Sequence, residues 1–256
     1  MRAGRVLAAA LVLAAATVAG CGGSDGAADA SSPELVVFAA ASLGPAFERY
    51  GDGFEAADVR FSFAGSDELA AQIRQGVAPD VYAAANTSLP EHLHRDGLIG
   101  KPVAFATNRL VVGVPAGSDI DEVSDLEKAG VEIAIGDAEV PVGIYTRAVL
   151  EALGPDAERA ILANVASSEP DVAGIVGKLT QGAVDAGFIY RSDVDAAGGE
   201  IEQVPIPAHA SPDVAYGIAA ATGAAHPELA QQFIDGVVSG DGEKVLLDAG
   251  FGPPPR

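Results

Sequence analysis

The chain has 256 residues, of which 36 are acidic and 15 are Lys or Arg, for a formal net charge of −21 at pH 7. An apolar fraction of 49% with 20% charged residues is that of a globular chain, and the acid excess excludes binding to nucleic-acid phosphates or to anionic lipid by charge. Any anion held by this protein must therefore find its donors in neutral groups, and the single Cys excludes an internal disulfide or a multi-Cys metal site.

The first residues read as an address and an anchor. Arg2 and Arg5 precede an apolar run of 14 residues, Val6 to Ala19, a length that suits a secretory signal and is short for a bilayer span. The run ends in Val18-Ala19-Gly20-Cys21, which resembles a bacterial lipobox, with the lone thiol where cleavage is expected. The reading is a lipoprotein signal peptide over 1–20, then a lipidated Cys21 and a flexible small-residue tether over 21–33. The protein is thus expected on the outer face of the cytoplasmic membrane, in the cell envelope or periplasm, held there by lipid on Cys21.

After the tether, short strands alternate with helical patterns. Leu35 to Ala41 (LVVFAAA) is an apolar run suited to a strand buried on both faces, and Pro45 to Phe54 follows with helical spacing. VRFSFA (59–64) alternates as a strand, before a helix through Leu69, Ala70 and Ile73 that stops near Gly76. Further strands are expected at 80–85, 109–115, 131–136, 186–190 and 214–221. Helices are expected at 144–153, 170–179, 227–238 and 242–249. Repeated strand–helix units predict an α/β protein with mainly parallel sheets covered by helices, and ligands at the carboxyl ends of strands.

Three strand-to-helix turns share one chemistry. They are AAASLGP with Ser42, AGSDE with Ser66, and GDAEVPVG, in which Pro141 precedes Val142. A helix start leaves backbone N–H groups without partners and carries the positive end of the helix dipole, so it accepts an anion without a basic residue. The same serines also fit a plainer role, as N-caps of their own helices. Elsewhere, His92 and His94 do not share a face, and no calcium loop, Walker loop, dinucleotide fingerprint or G-x-S-x-G elbow is present.

Taken together, VVFAAASL, AGSDELAAQIRQGVAPDVYAAA, NRLVVGVP, GDAEVPVGIYTRAVL, DVAGIVGKLTQGAVDAGFIYRSDV and LLDAGF resemble the periplasmic molybdate-binding proteins of ABC importers, from about residue 35 to 253. The resemblance implies a two-lobed periplasmic-binding-protein fold of type II, each lobe a mainly parallel sheet flanked by helices. Lobe 1 is placed at 34–112 plus 206–256 and lobe 2 at 113–205, with crossings near Val114-Pro115 and Val204-Pro205. It implies a ligand held between the lobes by Ser42 and Ser66, the backbone N–H groups of Val142 and Val172, and the Tyr190 hydroxyl. The cargo would be molybdate, and also tungstate, so that molybdenum enters only as the bound oxyanion. No cofactor and no enzymatic activity are expected, and the partners are an ABC permease and the membrane, with the protein itself a monomer. Asp67 departs from the family pattern and puts a carboxylate beside the second turn. It is expected to point outward, with Arg191 as the offset to its charge. Two other readings stay open: the same fold holding a different oxyanion or small organic acid, and a tethered hydrolase.

Overall fold

The computed structural model describes residues 32–255; Cys21, the signal segment and most of the tether lie outside them. The first lobe is built on a sheet of five strands: β1 (Glu34–Ala40), β2 (Asp58–Ala64), β3 (Val81–Ala84), β4 (Val103–Asn108) and β10 (Val214–Ala220). Their order is β2-β1-β3-β10-β4. The second lobe carries β5 (Leu110–Pro115), β6 (Ile133–Gly136), β7 (Val165–Glu169), β8 (Ala186–Tyr190) and β9 (Ile201–Val204), in the order β7-β6-β8-β5-β9.

Both sheets are mixed. β10 runs antiparallel to β3 and β4, and β5 runs antiparallel to β8 and β9, so one strand in each sheet is reversed. The reversed strand is in each case one that follows a crossing between lobes, and the two sheets have the same layout although the sequence shows no internal repeat. Central strands such as β3, β6 and β8 are buried along their whole length, which is why their sequences are runs of small and branched apolar residues.

The first crossing lies earlier than Val114-Pro115. β4 ends at Asn108 and β5 begins at Leu110, so Arg109 alone joins the sheets, and Leu110–Val112 belong to the second lobe. The apolar run from Leu110 to Val114 is continuous because all of it pairs with β8 and β9, which leaves no break at 112. The second crossing falls within 205–213, between β9 and β10.

Helices α1 (Gly44–Asp52), α2 (Ser66–Arg74), α3 (Ser88–Arg95), α8 (Pro227–Ser239) and α9 (Asp241–Asp248) cover the first sheet. Phe47 anchors this core, with ring centroids 5.7 Å from Phe233 and 6.1 Å from Phe61 and Phe105. Helices α4 (Pro141–Leu153), α5 (Pro155–Ala163), α6 (Val172–Thr180) and α7 (Arg191–Ala196) serve the second sheet. Pro141 opens α4, where its missing N–H costs nothing, and Gly154 closes it at φ 99°. His94 bonds to the Ile99 carbonyl, and no cluster of potential metal ligands occurs among the described residues. No described helix is long and apolar enough to cross a membrane.

Candidate functional site

A small cavity lies where the two lobes meet, and Ser42, Ser66, Val142, Val172 and Tyr190 all line it. All five are buried, the most exposed at 5%. The walls between them are alanine methyls, Ala40, Ala41, Ala64 and Ala85, so little side chain stands between a ligand and the backbone.

Each position comes from the carboxyl end of a strand. Ser42 follows β1 in a 3-10 turn, Ala41–Leu43, that runs directly into α1. Ser66 follows β2 as the first residue of α2. Val142 is the second residue of α4, after β6, and Val172 opens α6, after β7. Tyr190 is the last residue of β8.

Neither serine caps its own helix. The Ser66 hydroxyl instead accepts from the Ala85 backbone N–H at 3.1 Å, across to the end of β3, while the Tyr82 hydroxyl donates to the Ser66 carbonyl at 2.7 Å. The Ser66 oxygen is thus already bonded, and its hydrogen is available to the cavity. The Ser42 hydroxyl bonds to that of Tyr216 at 2.9 Å. Burial pushes the Tyr216 phenol well above its ordinary range, so it keeps its proton.

Tyr190 differs from both. Its hydroxyl is buried and has no hydrogen-bond partner in the protein, although it belongs to the most deeply enclosed group in the cavity wall. Desolvation raises its pKa too, so the group is a neutral donor. Its backbone N–H donates to the Asp193 carboxylate at 2.8 Å, which fixes the turn from β8 into α7. An orphaned polar atom inside a protein costs ~1–3 kcal/mol, and such an atom aimed at a cavity points to a ligand acceptor.

The two expected backbone donors, Val142 and Val172, stand at helix starts. Pro141 has no N–H, so Val142 supplies the first one of α4. At α6 the Asp171 side chain accepts from Gly174 at 2.9 Å, which satisfies the third turn position and leaves the Val172 N–H outside the cap. Asp171 also lines the cavity, a residue that sequence reasoning did not single out.

Asp67 does not simply face outward. It is absent from the cavity wall, yet its Oδ1 is buried and unpartnered, packed near Gly65. The lobes approach tightly beside it: a Cβ at Gly65 would stand 2.6 Å from the Pro170 carbonyl oxygen and 2.9 Å from Asp67 Oδ1. Arg191 does not offset it, because its guanidinium pairs with Asp195 on the surface at 3.2 Å.

The profile of the bacterial extracellular solute-binding protein family matches residues 35–252. The chain is 35% identical over 246 residues to the molybdate-binding protein ModA of Mycobacterium tuberculosis, covering 91% of this chain and 92% of that one. It is 31% identical to the molybdate-binding protein ModA of Escherichia coli, over 76% of this chain and 79% of the other. The fold superposes on the periplasmic molybdate-binding protein of Azotobacter vinelandii with a TM-score of 0.78, at 22% identity, covering 86% of this chain and all of that one. The chain therefore belongs to the bacterial extracellular solute-binding proteins, in the family of the molybdate-binding proteins.

Proposed function

We propose that this protein captures molybdate, and also tungstate, in the cavity between its lobes and delivers it to an ABC permease. The observation that carries the reading is the Tyr190 hydroxyl, a buried neutral donor with no acceptor in the protein, beside two serine hydroxyls whose oxygens are already bonded. Hydrogen bonds to a dianion contribute about 1.5–3 kcal/mol each, so five such positions supply on the order of 8–15 kcal/mol before ordering costs, against the ~8 kcal/mol that micromolar binding needs. Sulfate carries the same charge on shorter bonds, so cavity size makes the selection. The names of the relatives support the same cargo. Lipid on Cys21, outside the described residues, would hold the protein at the outer face of the cytoplasmic membrane, and acylation is read by mass spectrometry of the mature chain against Cys21→Ala.

The test of the cargo is isothermal titration of residues 34–256 with molybdate, tungstate and sulfate. One-to-one submicromolar binding of the first two with no heat from sulfate is expected. Silence toward molybdate and tungstate from a folded sample would sink this reading and turn the search to another oxyanion or organic acid, with the buried Asp67 oxygen as the feature that changed the pocket.

A further inference from the structure

Behind Ser42 runs a chain of hydrogen bonds whose direction is fixed at its far end. The Arg109 backbone N–H donates to Asn108 Oδ1 at 2.8 Å, so the Asn108 amide has only one orientation. Its Nδ2 then donates twice, to Ser192 Oγ at 2.9 Å and to the Tyr216 hydroxyl at 3.4 Å. With the Tyr216 oxygen accepting, its own hydrogen is left for Ser42 Oγ at 2.9 Å. The opposite polarity would set the Tyr216 hydrogen against the amide hydrogens of Asn108 and strand a buried donor. Tyr216 is fully enclosed, so its hydroxyl has no route to bulk water that would relieve such a conflict.

We propose that Asn108 and Tyr216 are positioning residues that keep the hydrogen of the Ser42 hydroxyl free to donate into the cavity. Ser42 accepts from Tyr216, so its own hydrogen is not spent on the protein and is free to turn toward the cavity it lines. Ser66 reaches the same state by the shorter route of the Ala85 N–H. The site is thereby matched to an oxyanion that only accepts. The relay also begins at the crossing between lobes, since Asn108 ends β4 and Ser192 lies on α7 of the second lobe. The affinity readout rests on the molybdate reading above, whereas the polarity itself does not.

Two measurements test it. In titrations with molybdate, Tyr216→Phe keeps the ring and removes the relay, and is expected to weaken binding by ~2–10-fold, as loss of one neutral hydrogen bond does. Asn108→Asp keeps the acceptor for Arg109 but captures the Tyr216 hydrogen, so Ser42 is turned the wrong way and a larger loss is expected. On a Ser42→Ala background, Tyr216→Phe should change affinity by less than about twofold, and Asn108→Asp should keep only the part due to its charge. Equal losses on the wild-type and Ser42→Ala backgrounds would overturn the proposal.

The second measurement needs no ligand and no variant. A neutron structure of the full described chain in deuterated water should place the Tyr216 deuteron toward Ser42 Oγ; a deuteron toward Asn108, or a Ser42 deuteron on the shared bond, overturns the relay. If the wild type binds no molybdate, the functional reading fails while the neutron map still decides the polarity.

Discussion

Tyr190 and Tyr216 meet edge to face with ring centroids 6.0 Å apart, one from each lobe, yet their hydroxyls have opposite fates. That of Tyr216 is bonded to Ser42 and Asn108, while that of Tyr190 is buried with no protein partner. Packing therefore holds both rings, and the free Tyr190 hydroxyl fits the donor role proposed for it. Tyr145 completes the stack on the Tyr190 side at 6.5 Å.

From this contrast, Tyr190→Phe is expected to weaken molybdate binding by about 1.5–3 kcal/mol without lowering the melting temperature of the ligand-free protein. The ring contacts survive the substitution, and the group removed makes no bond to the protein. Titration and thermal melting of the same sample check both halves. A lower melting temperature with unchanged affinity would make the hydroxyl structural.

The serines differ from Tyr190 in a second respect. Ser42→Ala and Ser66→Ala should each cost about 1.5–3 kcal/mol of oxyanion affinity. Both should also destabilise the fold by about 1–3 kcal/mol, because Ser66→Ala leaves the Ala85 N–H, and Ser42→Ala the Tyr216 hydroxyl hydrogen, buried without an acceptor. Denaturant titration alongside calorimetry reads the difference, and equal stability of wild type and Ser66→Ala would contradict the assigned bond.

The sites visible in the sequence are those where local chemistry repeats. Ser42 and Ser66 follow apolar strands through tiny residues, and Pro141 marks a helix start, so these turns stand out by composition alone. Val142, Val172 and Tyr190 entered through the family resemblance, since a backbone N–H leaves no trace in a residue's identity. Asn108 and Tyr216 were not legible at all: they act from behind Ser42, 66 and 174 residues along the chain. The short strands β7 and β9 carry exposed polar residues, so neither shows the apolar run that betrayed β3 or β8. The crossing at Arg109 was hidden because the residues on its far side are as apolar as any core strand.

Asp193 gives a pH dependence with a defined sign. Burial first, with the charge of Asp171 adding to it, pushes its carboxyl up to about 7, while the Tyr190 N–H pulls the other way. A carboxyl raised in the folded state makes the fold bind the extra proton, so stability from this group is fully present below the unfolded pKa, ~4, and declines until pH passes about 7. Asp193→Asn removes that dependence while its carbonyl can still accept from Tyr190. The variant should match wild type near pH 4 and exceed it at pH 8 by on the order of 4 kcal/mol at most, at 1.36 kcal/mol per unit. Parallel stability curves for the two proteins between pH 4 and 8 would show that the group does not titrate in this window.

Gly65 offers a way to separate closure from folding. Its φ is −57°, which any residue adopts, so alanine introduces no backbone strain. The added Cβ would nevertheless stand 2.6 Å from the Pro170 carbonyl oxygen of the opposite lobe and 2.9 Å from Asp67 Oδ1. Backbone on one side and a buried carboxylate on the other leave it no room, so the lobes must part at this point. Neither Phe47 with its ring partners nor the buried strands β6 and β8 include Gly65, Asp67 or Pro170, so their packing does not depend on this contact. Gly65→Ala is therefore expected to melt within a few degrees of wild type yet bind molybdate at least ~10-fold more weakly, as the serines and Tyr190 no longer converge on one ligand. Small-angle scattering with and without molybdate should show wild type adopting its compact form and Gly65→Ala remaining more extended; identical compaction of the two would mean that the lobes close without the contact at Gly65.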